Sequence, residues 1–179
     1  MCASLVSEEI SGQVTRLPEP LQIRPARNGL GAFAAKAFRP HQTIIKIAGR
    51  IVAAEILWKQ GGTFADNCFR FGPETYLDPG DEPCRYLNHG CEPNAGIRKI
   101  NNQLFLFAAK PIRKGTEIVF DYSTLLGDDD IWTMRCNCRY TKCRKVIRRF
   151  GALPFELKDR YLSSGMVPKY IIGTLDVDE

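Results

Sequence analysis

Apolar and polar residues alternate over short stretches along most of this chain, and few stretches carry the longer period of a helix. Leu21-Gln22-Ile23-Arg24 alternates as a half-buried strand does. Arg27-Asn28-Gly29-Leu30-Gly31 follows with Asn-Gly as a turn signal, and Ala32-Phe33-Ala34 resumes an extended pattern. The β-branched run Thr43-Ile44-Ile45-Lys46-Ile47 predicts another strand. Residues 67–71 and 74–77 read as short strands around Gly72-Pro73, and 97–100 and 104–107 flank Asn101-Asn102-Gln103 as a hairpin. Residues 117–122 are again rich in strand formers.

Helical signals are sparse. Residues 53–60 predict one helix, stopped by Gly61-Gly62. Residues 154–162 predict another, with Pro154 near its start and Gly165 past its end. Residues 166–172 predict a further short element, and 175–179 an acidic, frayed end. Many short strands, few helices and frequent Gly and Pro define a β-rich α+β domain.

The 179 residues suit one domain with an added terminal element, and 44% hydrophobic content supports a sizeable core. No apolar run approaches the roughly 18 residues of a membrane span. The N-terminus carries Glu8 and Glu9 and lacks a basic-then-apolar run. These features predict a soluble intracellular protein with no membrane contact, cytoplasmic or, in a eukaryote, nuclear. The net charge is +5, and the cations concentrate between Arg135 and Arg149. A solvated basic face is the expectation there. Nucleic acid is the less favoured partner, because no stacking aromatics are interleaved.

Seven cysteines in a reducing compartment argue against a disulfide framework. Cys2, Cys68 and Cys84 read as ordinary thiols, whereas Cys136, Cys138 and Cys143 form C-x-C-x4-C. That segment offers three thiolates, one fewer than a closed tetrahedral zinc site uses. Cys91, beside Glu92-Pro93 in a shaped loop, is the best fourth donor. Four thiolates favour zinc over harder cations. The alternatives are three unrelated thiols or an iron–sulfur cluster, whose ferredoxin spacings are not matched.

The loop that holds Cys91 reads Arg85-Tyr86-Leu87-Asn88-His89-Gly90-Cys91-Glu92-Pro93-Asn94. Asn88 and His89 add directed polar groups suited to a ligand; a satisfied structural histidine is the competing reading of His89. Asn28-Gly29-Leu30-Gly31 permits close backbone approach to a ligand but, alone, is more simply a turn. Tyr122, at the end of Phe120-Asp121-Tyr122, is by itself a strand aromatic.

Taken in order, Asn-Gly-Leu-Gly, Arg-Tyr-Leu-Asn-His-Gly-Cys-Glu-Pro-Asn, Gly-Thr-Glu-Ile-Val-Phe-Asp-Tyr and Cys-Asn-Cys-Arg-Tyr-Thr-Lys-Cys-Arg resemble the SET-domain protein-lysine methyltransferases with a post-SET segment. The resemblance covers about residues 20–147. It implies a fold of small curled β-sheets with a pseudoknot joining the Asn-His and Phe-Asp-Tyr segments. It divides the chain into a lead-in (1–20), a SET domain (21–124), a post-SET zinc segment (125–147) and a C-terminal helical extension (148–179). It implies transfer of a methyl group from S-adenosylmethionine to a lysine of a histone tail or another protein. The cofactor would lie near Gly29, Leu30, Gly31, Arg85, Asn88 and His89, with Tyr122 as the active-site tyrosine. Phe120 and Ile47 fall at lysine-channel positions, and a phenylalanine at 120 leaves room for di- or trimethylation. Cys91, Cys136, Cys138 and Cys143 match the ligands of one structural zinc. Three residues depart from the family pattern: Gly90 replaces a serine, Lys145 a glycine and Ile47 a channel tyrosine. The competing function is a non-catalytic SET-like zinc module that binds protein or nucleic acid.

Overall fold

The structure, a computed structural model, describes residues 19–60, 66–173 and 175. The lead-in to residue 18 and the Gly61-Gly62 stop lie outside them. The described chain forms five small sheets, each of two or three strands. β1 (Leu21–Ala26) and β2 (Gly29–Ala34) form the predicted first hairpin. Gly29 opens β2 at φ +96°, a left-handed conformation that glycine adopts without steric penalty. β3 (Thr43–Ile47) pairs with the outer edge of a second hairpin, β8 (Ala95–Ile100) and β9 (Gln103–Ala108). Asn101 and Asn102 turn that hairpin with φ of 47° and 57°, as a two-residue primed turn requires. β4 (Arg50–Ala53), β6 (Thr75–Asp78) and β5 (Phe69–Gly72) make the third antiparallel sheet. The helix Ala54–Gln60 continues directly from β4 and buries Ala54 and Leu57.

The pairing that positions the site is the smallest. β7 (Asn88–His89) runs parallel to β10 (Val119–Phe120), with Val119 opposite Asn88 and Phe120 opposite His89. On the other flank, residues 115–118 are stitched to β2: the Ile118 amide donates to the Ala32 carbonyl, 2.8 Å, and the Gly115 amide to that of Ala34, 2.8 Å. Asn94 fills the gap between the two. Its side chain donates to the Glu117 carbonyl (2.8 Å) and accepts from the Val119 amide (2.9 Å), standing in for a strand partner. The strand pattern over 117–122 therefore yields a strand of two residues only. It stops because the Asp121 carboxylate accepts the Ser123 amide, 3.1 Å, and caps a 3-10 turn over Tyr122–Leu125.

A short ribbon, β11 (Met134–Arg135) with β12 (Val146–Ile147), brackets the cysteine segment. Beyond it the helices Phe155–Ser163 and Lys169–Ile172 form at the predicted places, the first followed by Gly165 at φ +65°. Phe150, Leu153, Tyr161, Met166, Val167 and Ile171 build a second core against Phe107 of β9. No helix among the described residues is long and apolar enough to cross a membrane.

The extension also reaches the principal domain through polar contacts, among them Tyr170 to the Arg70 carbonyl, Arg98 to the Ser164 and Gly165 carbonyls, and one that is fully buried. The Tyr161 hydroxyl, in a side chain 1% exposed, donates to Asp121 at 2.9 Å. Removing it leaves a carboxylate oxygen of a fully buried residue without that donor. Tyr161→Phe is expected to cost about 2 kcal/mol, in the range for a hydrogen bond to a charged group. Urea denaturation would show a lower midpoint with an unchanged slope.

Candidate active site and metal centre

Side chains alternate across a strand, so a two-residue strand pair can present different chemistry to its two sides. Val119 lines a polar cavity of 320 Å³ together with Asn88, His89, Glu117, Asn28 and Tyr140. Phe120, on the opposite face of β10, lines an apolar cavity of 580 Å³ with Tyr122, Leu87 and Phe69. The β7–β10 pair is the partition between the two.

On the apolar side, Tyr122 is held by its hydroxyl, which donates to the Leu87 carbonyl at 2.7 Å. Its ring meets those of Phe120, His89 and Trp132, with centroids 4.9, 5.3 and 6.4 Å away. Burial raises the phenol's pKa well above its ordinary value, and the Asp66 and Glu117 carboxylates push the same way. Tyr122 is therefore a neutral O–H group at neutral pH.

Arg70 organises the wall opposite. Its side chain, 2% exposed, ion-pairs with Asp129 at 2.5 Å and with Asp130 at 2.6 Å. Asp130 also accepts from the Tyr76 hydroxyl (3.0 Å) and the Gly127 amide (2.7 Å). These bonds latch the acidic stretch 126–130 onto β5 and β6. Trp132 follows, with its indole N–H donating to Asp66 at 2.8 Å.

On the polar side, the Asn88 amide donates to the Leu30 carbonyl (3.1 Å) and to Glu117 Oε1 (2.8 Å). A Cβ on Gly31 would lie 2.6 Å from that carboxylate oxygen, 2.7 Å from Ala26 Cβ and 3.0 Å from the Asn88 amide nitrogen. Gly31 is thus required by the packing of Asn88 and Glu117. Gly29 and Leu30 frame this cavity through β2 without lining it; Arg27 and Asn28 of the turn do. Arg85 sits on the apolar side, donating to the Gly80 carbonyl (2.7 Å) and Asp81 (3.1 Å). Ile47, 1% exposed, packs in the main core and lines neither cavity.

His89 and the cysteines adjoin the partition. Among the described residues, one donor atom each from His89, Cys91, Cys136 and Cys138 lie within 4.8 Å of one another. Cys91 and Cys136 sulfurs are 3.6 Å apart. A tetrahedral zinc with Zn–S bonds of roughly 2.3 Å needs sulfurs roughly 3.8 Å apart, so the spacing fits the ion. Cys143 adjoins them, its thiol 4.0 Å from the Cys136 carbonyl and accepting the Lys145 amide at 3.4 Å. Burial opposes ionisation of Cys138. The Cys91 and Tyr140 amides and the neighbouring thiols outweigh it and hold the group at about 7.

His89 competes with Cys143 for the fourth place, and the tautomer separates them. Burial pushes the imidazole down to about 4, so it is neutral. Nδ1 accepts the Tyr122 amide at 3.2 Å, which leaves the proton on Nε2, 3.3 Å from Cys91 Sγ. The ring then donates to the Cys91 sulfur and has no lone pair on that nitrogen for a metal. Behind it, Arg144 donates to Asp121 at 2.7 Å while its own amide donates to Cys91 Sγ at 3.4 Å. Arg149 pairs with Asp128, so two cations of the basic segment bind within the fold. Glu117, Asp121, Arg144, Tyr161 and Arg70 all belong to this site; the first three lie inside the quoted motifs without a role assigned to them, and the last two lie outside. The one hint is Asp121, a charge embedded between two aromatics in a run of strand formers.

The SET domain profile matches residues 29–123, and the chain belongs to the SET-domain family. It is 28% identical over 128 residues to histone-lysine N-methyltransferase 2D of Homo sapiens, covering 65% of this chain and 2% of that protein. It is 29% identical over 133 residues to histone-lysine N-methyltransferase Set2 of Drosophila melanogaster, covering 68% and 6%. Histone-lysine N-methyltransferase set1 of Dictyostelium discoideum is 26% identical over 129 residues, covering 65% and 8%. The chain therefore spans a small fraction of the length of these relatives.

Two departures from the family pattern have structural correlates. Lys145 adopts φ 67°, the left-handed conformation a glycine takes without penalty. A Cβ on Gly90 would lie 2.8 Å from Val119 Cγ2 and 3.1 Å from the Tyr140 ring. Val119 is stiff at χ1, so it yields little. Gly90→Ala is expected to destabilise the fold by about 1–3 kcal/mol through overpacking, measurable by thermal or urea denaturation.

Proposed function

We propose that this chain is a protein-lysine N-methyltransferase that uses S-adenosylmethionine, with Tyr122 at the point of transfer. The observation that carries the reading is the partition: a polar cavity and an apolar, tyrosine-bearing cavity lie on opposite sides of one two-residue strand pair. A donor and an acceptor held on the two sides would meet across β7 and β10.

The polar cavity suits the cofactor. Asn88 offers an amide, Glu117 a carboxylate for hydroxyl groups, and Tyr140 a ring for a heterocycle. Gly29, Leu30 and Gly31 support it from β2 by fixing Asn88, and His89 contributes through its place on the wall. S-adenosylmethionine, when bound, supplies a methyl group already activated by its sulfonium.

The apolar cavity suits the lysine. Its aromatic and aliphatic walls disfavour the ammonium form, whose reference pKa is about 10.4. Asp129 and Asp130 work against that at the mouth of the cavity, and Arg70 offsets one of their two charges. The Tyr122 hydroxyl, fixed on the Leu87 carbonyl, orients the amine and stabilises charge near the reacting carbon. Phe120, without a hydroxyl, leaves room for a methylated amine. The substrate class is a lysine of a histone tail or another protein.

Cys91, Cys136, Cys138 and Cys143 are the zinc ligands in this reading, with His89 donating to Cys91 as an outer partner. The zinc, when bound, supplies a fixed junction between the loop 85–94 and the C-terminal segment. The segments 21–124, 125–147 and 148–179 then act as catalytic body, metal clasp and buttress.

Tyr122→Phe should lower turnover about 100-fold while the protein stays folded, the scale for losing one preorganised polar group at the reacting centre. Labelled-methyl transfer to a lysate would measure it; wild-type activity in that variant sinks the role, and no transfer from wild type favours a non-catalytic binding module. Elemental analysis should find one zinc per chain, and Cys138→Ser should lose it. A zinc-free preparation with full activity would refute the metal assignment.

A further inference from the structure

The apolar cavity opens among side chains that the transfer step does not use. Ile131 is 97% exposed and Trp58 69% exposed, and both line the same cavity as Tyr122. Two large apolar groups this open to water, next to a functional cavity, mark a binding surface. Trp132 lines the same cavity, its ring 6.4 Å from that of Tyr122 and oriented by the bond from its indole N–H to Asp66.

The charge around this opening has a definite sign. The chain as a whole carries +5. Asp66, Asp129 and Asp130 nevertheless line this cavity, and the two guanidiniums there are committed elsewhere. Arg70 is buried against Asp129 and Asp130, and Arg85 pairs with Asp81. Asp129 keeps 55% of its side chain exposed despite its ion pair. The opening therefore presents carboxylates and indole faces, both of which attract a cation. An acidic or phosphorylated segment would be repelled, and so would nucleic acid.

We propose that the mouth of the apolar cavity docks an extended segment of the substrate protein carrying an arginine or lysine beside a large apolar residue, close to the target lysine. The apolar residue packs on Ile131 and Trp58, and the cation meets Asp66, Asp129 and an indole face. The Arg70 latch holds the acidic stretch 126–130 in place, so little ordering is needed on docking. The proposal rests on the methyltransferase reading for the identity of the target residue, but docking itself is measurable without turnover.

The molecule carries its own reporter, because its only two tryptophans both line this cavity. The zinc-loaded 179-residue chain is titrated, by tryptophan fluorescence, with synthetic lysine peptides identical except for their neighbours. A peptide with Arg and Leu beside the lysine should bind at least about tenfold tighter than one with Glu and Ala, one decade being about 1.4 kcal/mol. Added salt should weaken it. Ile131→Ala, at a position too exposed to affect folding, should weaken it severalfold, and Asp129→Asn should reduce its salt dependence. Equal or tighter binding of the acidic peptide, or an unchanged affinity in both variants, overturns the proposal. Methyl transfer is followed on the same peptides. Transfer to all of them with no preference in binding overturns the docking proposal and leaves the methyltransferase reading standing. Discrimination in binding without transfer supports docking and overturns that reading.

Discussion

Asp121 is the group on which the site depends. It is completely buried, between the aromatic residue that walls the apolar cavity and the tyrosine proposed to act in it. An isolated carboxylate in that position is untenable, so its donors are structural necessities. They come from three places: the Ser123 amide within the same turn, Arg144 from the cysteine segment and Tyr161 from the C-terminal helix. Arg144 serves it by Nη2 alone; Nε and Nη1 are buried with no hydrogen-bond partner among the described residues. The ion pair is therefore held by charge and one good contact. Removing either member of such a pair typically costs about 3–5 kcal/mol, because the other charge stays buried. Through this one carboxylate the metal segment and the extension are both tied to the position of Tyr122.

The same economy governs the partition. A longer strand at 117–122 would have run past the site, whereas the Asp121 turn ends it after Phe120 and swings Tyr122 into the apolar cavity. Residues 119 and 120, adjacent in the chain, then face different compartments. Asn94 and the β2 hydrogen bonds hold this short pair in place, since two residues of parallel pairing would not hold themselves. His89 links the partition to the thiols: one ring nitrogen accepts from Tyr122, the other donates to Cys91. A structural histidine and a site histidine are here the same residue.

Local pattern predicts the hairpins well. Alternation and turn chemistry place β1–β2, β8–β9 and both flanks of Gly72-Pro73 within a few residues, because those elements are decided by neighbours in the chain. The helices at 54–60 and 155–163 are legible for the same reason. The strand expected over 117–122 is too long because a side chain, Asp121, captured the backbone donor that the next strand residue needed. For the site, four motifs supplied the polar loop, the tyrosine and the thiols. Ile47 falls at a channel position by resemblance and packs in the core, and Arg85, expected beside the cofactor, lines the apolar cavity. Sequence spacing records order along the chain, not the side of a strand on which a group emerges.

What the chain determined by itself is therefore local: short strands, primed turns, a soft-donor cysteine cluster and a loop that breaks at Pro93. Family membership was also legible, since it rests on motifs in register. Tertiary structure alone decided which groups share a cavity, which histidine nitrogen donates and which accepts, and which charges are paired. Arg70, 59 residues from Asp129, and Arg144, 23 from Asp121, look like ordinary surface cations in the sequence. They become site residues because burying a charge demands a partner, and a partner can come from any part of the chain that folding brings near.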